Sequence, residues 1–77
     1  MWCVIECSCY GEIFEPDFFD SKEEAIEFIN GDATECYENV SDLPEANIFI
    51  DPDGLSATVG TDEYSWDWKA FDVSNKI

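Results

Sequence analysis

Nineteen carboxylates set against three lysines, with no arginine and no histidine, give this 77-residue chain a formal net charge of −16. Like charges at that density oppose compaction, so any fold has to offset the repulsion with apolar burial. The chain carries the material for it: three Trp, three Tyr and six Phe, side chains that each remove about 150–250 Å² from water when buried. A disordered acidic tail is poor in such residues. A chain this short buries a modest core, and a single acidic domain over residues 1–77 is expected.

Solubility requires far less charge, a magnitude of roughly 2–8 for a small domain. Duplex DNA carries one charge per about 1.7 Å of axis, so sixteen charges correspond to about 27 Å of duplex. A folded chain of this length is about 30 Å across. The expected fold therefore holds about as much negative charge as an equal length of DNA.

Met1-Trp2-Cys3-Val4-Ile5 runs directly into Glu6, without the basic start and long apolar stretch of a secretory signal. No apolar run approaches the ~20 residues of a membrane span. A cytoplasmic location with reduced cysteines is the expectation.

The pattern along the chain predicts an α+β fold, an antiparallel sheet of about five strands with helices packed on one face. Trp2–Tyr10 alternates as a strand, with Cys3, Ile5, Cys7 and Cys9 on one face and Trp2, Val4, Glu6, Ser8 and Tyr10 on the other. Ile13–Phe19 follows as the second arm of a β-hairpin, with Pro16 marking an edge or a bulge. Ser21 and Glu24 have capping-box spacing, and Ala25, Ile26, Phe28 and Ile29 form an apolar helical stripe. Asn30-Gly31 reads as a stop, and Asp32-Ala33-Thr34-Glu35 repeats the capping pattern ahead of a second short helix or a bent continuation of the first. A three-strand meander completes the chain: Ala46–Ile50, the turn Asp51-Pro52-Asp53-Gly54, Leu55–Val59, and a last strand in which Tyr64, Trp66, Trp68 and Ala70 alternate with Ser65, Asp67, Lys69 and Phe71.

Catalytic chemistry is hard to place here. There is no histidine to shuttle protons near neutral pH, no arginine to clamp an oxyanion, and no nucleophile-elbow or phosphate-loop motif. Cys3 and Cys7 approach a zinc-ligand spacing, but a straight strand holds them about 13 Å apart; small thiols buried under the helices are expected instead, with no metal and no cofactor. The Tyr64, Trp66 and Trp68 stripe is expected in the core, because base stacking needs basic flanks and here Asp62, Glu63, Asp67 and Asp72 surround it.

The informative residues are the unbalanced acids. Glu23 and Glu27 lie at i and i+4, and Glu24 and Glu27 at i and i+3, spacings at which like charges cost roughly 0.2–0.5 kcal/mol per pair. Glu35 and Glu38 continue the helical pattern, and Glu12, Glu15 and Asp17 add the hairpin. These eight carboxylates are the candidate partner-binding surface.

In size, charge and the run Phe18-Phe19-Asp20-Ser21-Lys22-Glu23-Glu24-Ala25-Ile26-Glu27-Phe28-Ile29, the chain resembles small acidic bacteriophage-type accessory proteins, the class that includes DNA-mimic antirestriction and anti-CRISPR proteins. That resemblance implies a non-enzymatic inhibitor, monomer or homodimer. It would occupy the basic surface of a nucleic-acid-processing enzyme or complex, without binding nucleic acid or membrane itself. An immunity protein against a basic nuclease toxin, or an interaction module whose acidity is incidental, fits the same composition.

Overall fold

The computed structural model describes residues 1–75. The order of elements is β1 (Trp2–Ser8), β2 (Asp17–Phe19), α1 (Lys22–Val40), β3 (Asn47–Ile50), β4 (Ser56–Gly60) and β5 (Ser65–Asp72). All pairings are antiparallel, and the strands lie in the order β2-β1-β5-β4-β3. One helix packs across this five-stranded sheet, so the α+β architecture expected from the sequence is present.

The first and last strands meet at the centre of the sheet, paired from Trp2↔Asp72 to Ser8↔Trp66. Beyond them the strand alternation decides what is buried. Val4, Ala57, Val59, Trp68 and Ala70 rise from the sheet to meet Ala25, Ile29 and Ala33 of α1, and together they form the core. Trp68 is 1% exposed, and its indole N–H donates to Asp32 on α1 at 2.8 Å. Trp2, Phe19, Phe28, Cys36, Val40, Ile48 and Ile50 close the margins.

Local chemistry accounts for the boundaries. Ser21 caps α1 in extended conformation, its Oγ accepting from the Glu24 N–H at 3.2 Å and lying 3.1 Å from the Glu24 carboxylate, as the capping box predicts. The Asp51–Gly54 turn closes with Gly54 N–H donating to Asp51 O at 2.8 Å. Gly54 has φ +76, and a Cβ there would stand 2.7 Å from Ile26 Cγ2. Glycine is thus required twice over, by its backbone and by the close approach of α1.

Three expectations are corrected. First, Asn30-Gly31 is not a stop: α1 is one uninterrupted helix of 19 residues, the continuation rather than a second short helix. Gly31 sits inside it, exposed and with open space around it. Its intrinsic cost of about 1 kcal/mol is outweighed because Ile29 and Ala33 on either side are fully buried and Asp32 is held by Trp68.

Second, the predicted strand Ile13–Phe19 is broken. Ile13 bridges to Cys7, whereas Asp17 pairs with Val4. The register slips by one residue between those points, a bulge spanning Glu15-Pro16, where proline has no N–H for the ladder.

Third, Cys3 and Cys7 do not lie under the helix. Trp2, Val4, Glu6 and Ser8 take that face, and Cys3, Ile5 and Cys7 point to the opposite side of the sheet. All four cysteines are free thiols, ranging from buried Cys3 to exposed Cys9.

Candidate functional site

Glu23, Glu24, Glu27, Glu35 and Glu38 are all exposed on the single helix. At ~1.5 Å per residue, Glu23 to Glu38 spans about 22 Å. Because 3.6 residues make a turn, Glu23, Glu27 and Glu38 follow the outermost line of the helix. Glu24 and Glu35 fall on the flank that faces β2 and the hairpin. Glu24 and Glu27 line a shallow cleft with Phe19 and Phe28. The rings of those two phenylalanines pack 5.1 Å apart and join β2 to α1.

The charge runs against the helix's own electrostatics. Acids in the first turn suit the partial positive charge of the N-terminus, but the last turn holds no basic residue and ends in Glu35 and Glu38. An acid at that end forgoes the roughly 0.3–1 kcal/mol that a cation would supply. Stability does not select this arrangement.

The hairpin acids divide. Asp17, on β2, is on the helix side of the sheet, opposite Val4, and its charge helps to raise the pKa of Glu6. Glu15 is exposed in the bulged connection. Glu12 lies at the far end of β1, where the Tyr64 hydroxyl and Ser8 Oγ (3.0 Å) both donate to its carboxylate; these bonds, Tyr64 first, hold it below the usual carboxylate range.

The tryptophan stripe also divides. Trp68 belongs to the core as expected. Tyr64 and Trp66 are only half-buried. Tyr10 packs on Tyr64 at 4.8 Å and Tyr64 on Trp66 at 4.5 Å, forming one wall of a groove of about 490 Å³ shared with Leu43, Pro44, Asp62 and Glu63.

Sequence reasoning missed one feature entirely. Glu6 of β1 and Asp32 of α1 meet beneath the helix beside the Trp68 indole, in a cleft of about 300 Å³ that also admits Phe14, Glu35, Cys36 and Trp66. Burial, then the Asp32 charge and the hydrogen bond with Asp32, push the Glu6 carboxyl up to about 7. Two carboxyls this close do not ionise together without mutual repulsion. Burial and the same two acids push the neighbouring Cys36 thiol up to about 11, which leaves it a poor nucleophile near neutral pH. The signal was present, a carboxylate on the apolar face of a strand, but its partner lies on another element.

A consequence for stability follows. The folded state holds the Glu6 proton more tightly than the unfolded chain does. Between the ordinary glutamate value and about 7, the unfolded state has released that proton and the folded state has kept it. Stability therefore falls as pH rises through this window and levels off above it. Urea-unfolding midpoints measured from pH 5 to 8 are expected to decline, and Glu6→Gln, which keeps a hydrogen-bond donor to Asp32, is expected to flatten much of the decline. An identical slope in the variant would assign the loss to the other carboxylates.

Among the described residues, no group of three His, Cys, Asp or Glu side chains is placed to hold a metal ion, and no helix is long and apolar enough to cross a membrane. Searches against protein-family models, curated proteins and solved structures find no match to the chain.

Proposed function

We propose that this protein is a non-enzymatic inhibitor that occupies the basic nucleic-acid-binding surface of a host defence nuclease or CRISPR complex by presenting carboxylates in place of phosphates. The observation that carries this reading is the acidic face of α1: five exposed glutamates along about 22 Å of rigid helix, extending into a C-terminal turn where they oppose the helix dipole. Asp17 and Glu15 continue the charge on the hairpin side. The lysine and arginine side chains that line a nucleic-acid channel would meet these carboxylates instead of a phosphate backbone, with fast, steered association.

The test is capture on the immobilised protein from cells that carry nucleic-acid-processing complexes, repeated across a salt series and with duplex or single-stranded DNA as competitor. A captured complex is expected to elute as ionic strength rises and to be displaced by nucleic acid. A partner that stays bound at high salt and still binds DNA overturns the proposal.

A further inference from the structure

Among the described residues, no element packs on the side of the sheet opposite α1, and its composition differs sharply from the rest of the surface. Cross-strand register places Phe18, Cys3 and Phe71 in one row, Ile5, Lys69 and Ser56 in the next, and Ile13, Cys7, Asp67, Thr58 and Phe49 in a third. The Thr58 hydroxyl donates to Asp67 at 2.7 Å within that third row. Phe18, Phe49 and Phe71 are 59, 61 and 44% exposed, which leaves roughly 300 Å² of aromatic surface in water from three side chains of about 200 Å² each. Phe18 and Phe71 lie together in the first row, and Phe49 lies on the opposite edge strand, so the face carries exposed aromatics at both sides, a composition that suits an interaction surface.

Charge identifies the occupant. Glu6, Asp17 and Asp72 all sit on the helix side, paired with Trp68, Val4 and Trp2 respectively. Among the described residues, the charged side chains of this face are Asp67 and Lys69, which cancel, and at its edge Asp51, whose carboxylate accepts from Ser56 Oγ at 3.2 Å. In a chain of net charge −16 this is a weakly charged face, and it is where a second copy can approach with least repulsion. It is also self-complementary: under a two-fold axis Lys69 of each copy can meet Asp67 of the other, as an isologous interface requires.

We infer that the protein forms a homodimer through this open sheet face, with the two sheets stacked about 10 Å apart and the two acidic helices on opposite outer surfaces. Strands about 4.8 Å apart and up to ~25 Å long present roughly 500 Å² of flat area. That is at the small end of specific interfaces, so a dissociation constant in the micromolar range is expected. This inference is independent of what the acidic helix binds, and it has the opposite salt dependence: screening removes repulsion between two anionic copies, so salt tightens the dimer while it weakens docking to a basic partner.

The test is sedimentation equilibrium under reducing conditions over a wide protein concentration range, at about 0.1 M and about 1 M salt, where the screening length falls from about 10 to about 3 Å. The mass is expected to rise from 8.8 kDa toward twice that value, and at lower protein concentration in the higher salt. Phe18→Lys with Phe71→Lys should weaken association about tenfold or more, in the manner of lost aromatic anchors, although these changes lower the net negative charge. Lys69→Glu, at an exposed position with no role in the core, should do the same if the double variant fails to fold, circular dichroism reporting the fold in each case. A monomer at every concentration and salt, a dimer weakened by salt, or a dimer indifferent to the folded variants overturns the inference.

Discussion

Trp68→Ala is expected to remove most of the protein's stability, shifting the urea midpoint to near zero at room temperature. Trp68 is the largest fully buried side chain. It stands on β5 between Glu6 of β1 and Ala57 of β4 and binds Asp32 of the helix above, so it touches every layer of the core. Truncating a buried tryptophan to alanine costs about 3–5 kcal/mol, and a domain of this length has in total roughly 4–12 kcal/mol at about 0.05–0.15 per residue. Like-charge repulsion places the total toward the lower end. The loss also leaves the Glu6–Asp32 contact without its indole donor. Trp68→Phe separates the two contributions, retaining much of the volume but not the hydrogen bond, and should fall between wild type and alanine. Far-UV circular dichroism against urea measures all three proteins. A Trp68→Ala midpoint close to wild type would mean that the core lies elsewhere.

Reversing charge on the helix should leave the fold intact while abolishing partner capture. In Glu27→Lys with Glu38→Lys, two carboxylates on the outermost line of α1 become cations. Repulsion of Glu27 with Glu23 and Glu24, and of Glu38 with Glu35, is removed at roughly 0.2–0.5 kcal/mol per pair, and a lysine now occupies the last helical turn. The thermal midpoint should therefore hold or rise. Affinity for a basic partner should fall about 100-fold or more at low ionic strength, because like charges now face one another across the contact, and the difference between variant and wild type should narrow as salt is added. Titration calorimetry or surface capture with the partner measures this. Unchanged affinity at low salt would remove α1 from the contact. A substitution that stabilises the fold yet destroys binding is the behaviour of charge held for use rather than for structure.

The parts of this fold written in local chemistry were legible in the sequence. The capping box at Ser21 and Glu24, the Pro-Asp-Gly turn before β4 and the alternation of Trp66, Trp68 and Ala70 each specify a conformation within a few residues. What depends on tertiary context was not. Asn30-Gly31 has the composition of a helix stop, and only the sheet beneath Ile29 and Ala33 carries the helix through it. Alternation divides β1 into two faces without saying which one the helix covers. Both carry large apolar side chains, and the face that carries Glu6 is the one the helix covers, because its partner Asp32 arrives from another element. The helical acids were identifiable from the sequence, since their spacing is local. The weakly charged sheet face was not, because it is assembled from β1, β2, β3, β4 and β5 by pairings that no single segment encodes.

The junction of β1 with β5 governs how the molecule comes into being. Its two longest strands are the two most distant in the chain, and Val73 N–H reaches back to Met1 O at 2.9 Å. A nascent chain that has delivered β1 through β4 has two outer strand pairs, a helix and a gap where the middle of the sheet belongs, with Glu6 and Ala57 lacking Trp68 between them. Closing a loop of that length is the slow step of such topologies. During translation the acidic helix emerges long before it has a floor to rest on, so the charged display is acquired all at once, when the final strand slides into place.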